Sequence, residues 1–501
     1  MKNLNKSVII IPTILVLIIG ILITIFPNTA TVIISSIKNF LCNELGIYYL
    51  IFGLAIFLLI IGISFSKIGK IRIGKKEDKP MNIVTWGILI FTSTMAADIL
   101  FYSFHEWTNY WNGEMLNQHI DTIENKLLWS STYSLFHWGF IPWSFYLILA
   151  AIYAFMFFNK HRRNKQNMAE MCRPILKDRT DGKTGKLINI ISIFGLLCGT
   201  STTFSITTPF MSAMVCKIFH LQNSVIISII LLIIIAIIYG IAVMTKHGIN
   251  TVAKLTIIIF SFLLALFLIV GNPKFIFENG LQGFGNMFQN FFRMSTWTEP
   301  TRATNFVQDW TIYFWAYWIA WSVATPFFIA KISKGRTIKQ ILLGGGLCGL
   351  LGTFSSFIIF GGFGMHLQAT STFDIISLLQ RGMTPAQAIV EMISTLKFSS
   401  IIMLIILLAM FGLYASTFDA LTDVVSSFSY KELDIDKNPS KKVKLYWVII
   451  FLILPIALLF LDTTNQLLMS MAIIGAFPLT IIIILIIISF FKEVKNYERK
   501  D

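Results

Sequence analysis

Long runs of apolar residues recur along the chain and are separated by short polar segments. A run of about 20 residues crosses about 30 Å of hydrocarbon as an α-helix, which satisfies its own backbone hydrogen bonds in lipid. The first run is longer than the core of a signal peptide, so we count it as a span. The pattern predicts an all-α polytopic membrane protein with twelve transmembrane helices, at roughly residues 8–26, 46–65, 83–104, 131–158, 187–212, 223–243, 253–271, 309–330, 340–362, 398–419, 445–462 and 466–490.

Composition and charge placement support this interpretation. The chain is 55% hydrophobic and only 13% charged, whereas soluble domains carry about 25% charged residues. A cytosolic enzyme, a secreted disulfide scaffold and a disordered regulator are therefore excluded. A net charge of +15 could suggest a nucleic-acid partner, but 32 of the 40 Lys and Arg residues fall in the predicted cytoplasmic segments. That bias is typical of membrane topology. It predicts a multi-pass plasma-membrane protein with both termini cytoplasmic, with the lipid bilayer and not nucleic acid as its partner.

One carboxylate lies in the middle of an apolar span. Asp98 follows the polar stretch Thr92–Thr94 and Met95 in the third predicted helix. An ionisable residue at such depth is by default a functional-site hypothesis, here a cation or proton site. A carboxylate that is simply hydrogen-bonded to neighbouring helices is the alternative. Hydroxyl-bearing residues of the fifth and tenth spans could supply oxygen ligands for sodium, although Ser and Thr in membrane helices often bond to their own helix.

Aromatic residues cluster in two predicted spans. Trp315, Trp318 and Trp321 recur every third residue in the eighth span, which places them in a stripe along one side of a helix. The fourth span contains a second set, in which Pro142 is expected to kink the helix and bring the rings together; this set comprises Trp138, Trp143 and Tyr146. Aromatic clusters on two helices can enclose a cation, most typically a quaternary ammonium group. Ordinary packing of the rings is the alternative.

Two segments resemble the betaine/carnitine/choline transporter family. They are Trp310–Trp321 with the basic turn at Ile329–Ile338, and Phe136–Tyr146. The resemblance implies a leucine-transporter-like fold of two inverted five-helix repeats, a homotrimer, and no cofactor beyond Na⁺ or H⁺ as coupling ion. The implied organisation is two peripheral N-terminal helices (1–82), the first repeat (83–271), an extracellular interfacial helix or loop (272–308), the second repeat (309–490) and a short cytoplasmic tail (491–501).

The predicted site combines these observations. The expected substrate-binding residues are Asp98, Trp138, Trp143, Tyr146, Trp315, Trp318 and Trp321. The expected ion-coupling residues are Asp98, Met95, Thr200, Thr203, Ser416 and Thr417. Asp98 occupies the last position of a Gly-x-Gly-x-Gly stretch that is usual in the family, as in its proton-coupled choline members. Ala324 replaces a family aromatic near one sodium site, whereas Ser416 and Thr417 match the hydroxyl pair of the other.

We therefore predict a secondary active transporter of quaternary ammonium compounds, with choline or glycine betaine as the expected substrate. The substrate cation would lie in the Trp/Tyr box, and uptake would be coupled to protons or sodium. A sodium-independent exchanger of carnitine- or betaine-type substrates is the alternative within this class. A membrane-embedded enzyme is the alternative from another class, but the seven histidines show no catalytic grouping.

Overall fold

The computed structural model describes residues 3–113, 121–160, 162, 164–222, 224–245, 248–461 and 465–498. Within these ranges the chain is helical, without a β-strand. Within the described residues, ten helical segments and two bent helix pairs are long and apolar enough to span a membrane. These spans, numbered 1 to 12 below, are Lys6–Ile25, Gly46–Phe65, Ile83–Thr92 with Ala97–Trp111, Ile123–Asn159, Lys183–Phe219, Val225–Met244, Gly248–Val270, Val307–Trp321 with Thr325–Ile332, Gln340–Ala369, Ser399–Phe428, Lys441–Leu459 and Leu467–Tyr497.

The prediction of an all-α polytopic membrane protein is confirmed, and each predicted span has its counterpart. Two spans are sharply bent, since span 3 turns by 67° between Thr92 and Ala97 and span 8 turns by 55° between Trp321 and Thr325. Span 4 begins at Ile123, eight residues before its predicted start, in a segment that was expected to be a loop.

Each break has a local chemical cause. Hydroxyl groups of three consecutive residues, Thr92, Ser93 and Thr94, donate to the last carbonyl groups of the first half of span 3. These bonds satisfy backbone acceptors where the helix ends. In span 8, Pro326 lies at the start of the second half; proline lacks an N–H and disfavours helical geometry in the residue before it. Ser322 donates to the Ile319 carbonyl at 2.6 Å beside this break.

The remaining helices connect the spans. The longest, Pro273–Thr296, packs across the first part of span 4, and Gly283 approaches so closely that an added Cβ would lie 2.3 Å from the Ser131 hydroxyl oxygen. Its opposite face exposes Phe277, Leu281 and Phe288, a pattern typical of helices at a membrane surface. The shorter helices are Pro27–Asn39, Met168–Met171, Arg173–Leu176, Ile375–Gln380 and Pro385–Ser394.

The spans divide into an inner and an outer group. In spans 4 and 5, 94% and 83% of the residues in the most apolar window are buried inside the protein. In spans 1, 6 and 7 the corresponding shares are 28%, 33% and 22%. Spans 4 and 5 are therefore enclosed by other helices, so their polar side chains are shielded from lipid.

Segments that are predicted to be cytoplasmic contact one another in the folded chain. The backbones of Lys431 and Asn3 are hydrogen-bonded at 2.8 Å, as are those of Leu433 and Asn164. Ion pairs join Arg162 to Glu493 at 2.9 Å and Lys334 to Asp78 at 2.7 Å. The N-terminal segment, the C-terminal helix and four of the predicted cytoplasmic loops thus take part in these contacts on one face of the molecule.

Candidate substrate site

A compact group of aromatic rings lies where spans 4 and 8 meet. The Trp318 ring contacts three rings of span 4, with centroid distances of 5.6 Å to Trp138, 5.7 Å to Trp143 and 4.7 Å to Tyr146. All four side chains are buried. The structure therefore brings together four of the predicted box residues, which we call the aromatic cluster.

An interruption in span 4 sets the direction of its rings. The helix is broken at Trp138 and Gly139 and resumes at Phe140, so Trp138 lies before the break and Trp143 after it. Side chains are excluded at Gly139, where a Cβ would lie 2.4 Å from the Leu135 carbonyl oxygen. Pro142 lies in the first turn of the second segment, where proline is tolerated. The interruption of span 4 thus lies at Gly139, before the proline.

Close packing also fixes Trp143. A Cβ added to Gly349 of span 9 would lie 2.5 Å from the Trp143 ring, so the indole rests directly against the backbone of that span. Only glycine leaves enough room for this approach. The position of Trp143 therefore depends on three spans, namely 4, 8 and 9.

The other two tryptophans of the predicted stripe point elsewhere. Trp315 packs against Phe136 at 5.3 Å and against Gly53 of span 2, where a Cβ would lie 2.9 Å from Nε1 of the indole. Trp315 therefore lies outside the aromatic cluster, in contrast to its predicted place in the substrate site. Trp321 is half-buried, and its Nε1 donates to the Thr203 hydroxyl oxygen at 3.3 Å.

Asp98 lies in the first turn of the helix that follows the break in span 3. One carboxylate oxygen accepts a hydrogen bond from the Tyr317 hydroxyl of span 8, and the other accepts from the Ile99 backbone N–H at 2.9 Å. The Tyr317 hydroxyl is also 2.6 Å from the Thr203 hydroxyl of span 5. Hydrogen bonds and the positive end of the helix dipole stabilise negative charge at such a position. Asp98 thus joins spans 3, 5 and 8 beside the aromatic cluster.

The predicted ion-coupling residues lie on spans 3, 5 and 10, of which span 5 packs against the other two. Met95 is buried within the break of span 3. Thr200 of span 5 donates to the Leu196 carbonyl at 2.9 Å, and Ser416 of span 10 donates to the Gly412 carbonyl at 2.9 Å. Thr417 follows Ser416 and is half-buried. Because these two hydroxyl protons serve their own helices, the oxygen lone pairs are what the side chains offer to a cation.

Two indole groups of the aromatic cluster have unused donors. In the part of the chain that the structure describes, the buried Nε1 atoms of Trp143 and Trp318 have no hydrogen-bond partner. A buried donor without a partner costs about 1–3 kcal/mol. An oxygen atom on a bound molecule would remove this cost.

A second buried carboxylate, Glu106, was missed by the sequence analysis. It accepts hydrogen bonds from Tyr110 at 2.6 Å and from the Trp138 indole, and its side chain is inaccessible to solvent. Because the apolar run ends near residue 104, Glu106 was assigned to a polar external loop. The spacing of Asp98, Tyr102, Glu106 and Tyr110 at intervals of four residues was a usable signal, since it places polar groups on one helical face.

Comparison with known proteins agrees with this geometry. A family model described as betaine/carnitine/choline family transporter matches residues 7–499. A glycine betaine transporter of Bacillus subtilis is 28% identical over 95% of this chain and 93% of its own length. An osmo-independent choline transporter of Acinetobacter baylyi is 24% identical over 95% of this chain and 91% of its own. A carnitine transporter of Acinetobacter baumannii is 24% identical over 87% of this chain and 79% of its own. The predicted class, a membrane transporter of quaternary ammonium compounds and not an enzyme, is confirmed, and the chain belongs to the betaine/carnitine/choline transporter family.

Proposed function

We propose that this chain takes up choline or glycine betaine and holds the trimethylammonium group between the rings of the aromatic cluster. The observation that carries the proposal is that Trp318 meets Trp138, Trp143 and Tyr146 at centroid distances of 4.7–5.7 Å. A desolvated cation–π contact contributes up to about 2 kcal/mol, so several rings give useful affinity. Because the rings contact one another directly, Trp318 must separate from its neighbours to admit the substrate.

The oxygen-bearing end of the substrate has donors close by. The unpartnered Nε1 groups of Trp143 and Trp318 could each donate to a hydroxyl or carboxylate oxygen. Choline carries a hydroxyl and glycine betaine a carboxylate, so both would benefit. Relatives described as glycine betaine, choline and carnitine transporters support the same group of substrates.

Asp98 distinguishes among these substrates. We assign it the role of balancing the positive charge of choline, because its hydrogen bonds from Tyr317 and the Ile99 N–H favour the ionised carboxylate. Glycine betaine and carnitine bring their own carboxylate, and a second negative charge nearby contributes less to binding them. Choline is therefore the substrate that we favour.

Uptake in this proposal is driven by an inward gradient of sodium or protons. Met95 in the broken part of span 3, with hydroxyl oxygens on spans 5 and 10, forms the proposed ion-contacting set; it comprises Met95, Asp98, Thr200, Thr203, Ser416 and Thr417. Broken membrane helices commonly supply the ion and substrate contacts of secondary transporters. The bend of 67° beside Met95 is the observation that supports this assignment.

The proposed architecture is a pair of five-span repeats, covering 83–271 and 309–490. In support, the two bent spans are numbers 3 and 8, each the first of its repeat. We further propose a homotrimer in the plasma membrane, with residues 1–82 forming two peripheral spans and 272–308 lying at the outer surface. The linked segments on one face contain most of the Lys and Arg residues; by the positive-inside rule we assign this face to the cytoplasm, and we propose that both chain ends and the 491–501 tail are cytoplasmic as well.

Transport into proteoliposomes tests the proposal. Labelled choline, glycine betaine and carnitine are compared while sodium and pH gradients are imposed one at a time. The expected result is gradient-driven accumulation of choline, with glycine betaine second. Accumulation without a gradient, only in exchange for substrate preloaded inside, would favour a sodium-independent exchanger. No transport of any of the three amines would contradict the proposed function.

A further inference from the structure

A second polar cluster lies next to the aromatic cluster and is separate from Asp98. It consists of Glu106 at the end of the broken span 3, Tyr110 in the same span, His137 and Trp138 in span 4, and Thr311 in span 8. The side chains of Glu106 and His137 are inaccessible to solvent. Polar groups at such depth are costly unless hydrogen bonds satisfy them, so their bonding pattern constrains which protonation states fit.

The Tyr110 hydroxyl connects the two ionisable groups. Its oxygen is 2.6 Å from Oε1 of Glu106 and 2.6 Å from Nδ1 of His137, but a hydroxyl has a single proton to donate. When Tyr110 donates to Glu106, it must accept a proton from Nδ1–H of His137. When Tyr110 donates to His137, Glu106 must be the protonated partner. The geometry therefore fits two opposite directions of the same hydrogen-bond chain.

These two arrangements differ by one proton. The first contains ionised Glu106 and a neutral His137 that carries its proton on Nδ1. The second contains protonated Glu106 and a neutral His137 that carries its proton on Nε2. Thr311, whose hydroxyl is 3.1 Å from Nε2, can either donate or accept there. A proton that binds at Nε2 of His137 forms an N–H bond there, the Nδ1–H bond breaks as its proton passes to the Tyr110 oxygen, and the Tyr110 proton passes to Oε1 of Glu106, where an O–H bond forms. The reverse transfers release the proton, so every hydrogen-bond contact is retained in both states.

Proton binding, and not a neighbouring fixed cation, determines the charge of the Glu106–His137 pair. Among the residues that the structure describes, His137 is the one basic side chain within ion-pair distance of Glu106, with 3.5 Å between Nδ1 and Oε1. The other titratable side chains near the pair are Tyr102 on span 3, Tyr133 on span 4 and Tyr313 on span 8, whereas Asp98 lies near Tyr102 and Tyr313. Arg293 and Glu299 neighbour Tyr133 instead, and His105 bonds to Thr108. No fixed cation among the described residues therefore holds Glu106 in its ionised form.

Trp138 links this pair to the substrate. Its indole N–H donates to Oε2 of Glu106, and its ring contacts Trp318 at 5.6 Å. A hydrogen bond to an ionised carboxylate is stronger than one to a neutral acid, so protonation of Glu106 loosens the hold on Trp138. A ring that must move to admit the substrate is thus fixed by a group whose charge depends on pH.

We propose that Glu106 and His137 form the proton-binding site of this transporter, and that Trp138 couples proton binding to opening of the aromatic cluster. This inference rests on the proposed transport of a quaternary amine. It assigns Asp98 to the charge of the substrate and the Glu106–His137 pair to the coupling proton. Glu106 and His137 are positioning residues, since they act on the substrate through Trp138.

The test uses the full-length protein in proteoliposomes, with the membrane potential clamped at zero. Labelled choline and labelled glycine betaine are supplied in parallel under an inward gradient of one pH unit. One proton per substrate then supports at most about tenfold accumulation. Glu106→Gln keeps a donor and an acceptor at the side-chain end but removes the titrating group. We expect up to tenfold accumulation by the unmodified protein, none by Glu106→Gln, and unchanged accumulation by the control Glu278→Gln, whose parent residue is exposed on the Pro273–Thr296 helix.

The pH profile of binding separates coupling from a purely structural role. Substrate affinity of the unmodified protein should change with pH, and that of Glu106→Gln should not. A Glu106→Gln protein with weaker affinity but the same pH profile would overturn the proposal, as would one with normal gradient-driven accumulation. If Glu106→Gln fails to fold, Tyr110→Phe removes the bridging hydroxyl alone, and an unchanged pH profile in that variant would overturn the proposal.

Failure of the two proposals can be distinguished with the unmodified protein. Substrate binding and transport without any response to pH would overturn the proton site while leaving the proposed function intact. Absence of binding by choline, glycine betaine and carnitine alike would instead overturn the proposed function.

Discussion

At the scale of single residues, the proposed site divides the recognition of a quaternary amine between the aromatic cluster and Asp98. In this proposal the rings of Trp318 and its neighbours provide faces for the methyl-bearing cation, while the Asp98 carboxylate balances its positive charge. The two contributions to binding depend differently on the net charge of the substrate. Removal of a ring weakens binding of every trimethylammonium compound, whereas removal of the charge affects cationic substrates most.

Trp318→Leu should weaken binding of choline and glycine betaine by about 1–2 kcal/mol, roughly 5- to 30-fold. Leucine preserves hydrophobicity but lacks the π-face that attracts a cation. Equilibrium binding of labelled substrate to the purified protein provides the measurement. Trp315→Leu is the matched control, because Trp315 lies in the same span but packs against Gly53. Equal losses of affinity in the two folded variants would contradict a specific role for Trp318.

Asp98→Asn should weaken binding of choline much more than that of glycine betaine. A pair of unit charges about 6–8 Å apart at an effective dielectric constant of about 20 is worth about 2–3 kcal/mol, or roughly 30- to 150-fold. Competition between the two labelled substrates measures the change of preference. Asp374→Asn, at an exposed helix cap, is the control. An unchanged ratio of the affinities for choline and glycine betaine would show that Asp98 has a structural role only.

At the scale of helices, the site is built where helices are interrupted. Asp98 begins the second half of span 3, Trp318 and Trp321 end the first half of span 8, and Trp138 adjoins the break in span 4. Unpaired backbone groups are tolerated at membrane depth only where protein encloses them. Span 4 satisfies this requirement because other helices enclose it. The same enclosure permits its break at Gly139 and keeps water away from the aromatic cluster.

Gly349→Ala should lower substrate affinity without removing any group that contacts the substrate. An added Cβ would lie 2.5 Å from the Trp143 ring, which must then shift. Overpacking of this kind costs about 1–3 kcal/mol, part of which appears as weaker binding. Gly62→Ala provides a control, since nothing lies within 4 Å of a Cβ there. Unchanged affinity together with unchanged thermal stability would show that Trp143 tolerates displacement.

At the scale of the whole molecule, the contacts between loops follow the predicted topology. Each linked pair on one face joins two segments that the charge pattern assigns to the cytoplasm. On the other face, Lys38 pairs with Asp309 at 2.6 Å and Lys217 with Glu391 at 2.8 Å. An error in the number of spans would have produced contacts between loops predicted to lie on opposite sides of the membrane. The folded chain therefore gives independent support to the predicted alternation of cytoplasmic and external loops.

Labelling of intact cells tests the orientation. Lys76→Cys and Lys274→Cys each replace an exposed lysine, the first in the loop that contacts Lys334 and the second at the start of the Pro273–Thr296 helix. A membrane-impermeant thiol reagent should label the Lys274 variant in intact cells and the Lys76 variant only after lysis. The unmodified protein, with its five native cysteines, provides the background. The reverse pattern would invert the proposed topology.

The amino-acid sequence predicts the number and place of the spans without knowledge of the fold, because each apolar run must be a helix in lipid whatever its neighbours are. It also identified the four rings of the aromatic cluster and Asp98, since residue type and membrane depth are readable from local sequence. It did not reveal that Trp315 turns toward Gly53, because helical spacing alone does not say which helix packs on which face.

The positions of the helix breaks and the contacts between polar groups depend on the folded chain. The apolar pattern continues through Thr92–Ala97 and gives no sign of a break there. The hydroxyls of Thr92, Ser93 and Thr94 bind the last backbone carbonyls of the first half of span 3, and those carbonyls are left free only when the helix ends. Glu106, His137 and Thr311 are separated by 31 and 174 residues along the chain, so no local pattern connects them. Their hydrogen bonds exist because the packing of spans 3, 4 and 8 removes water from all three.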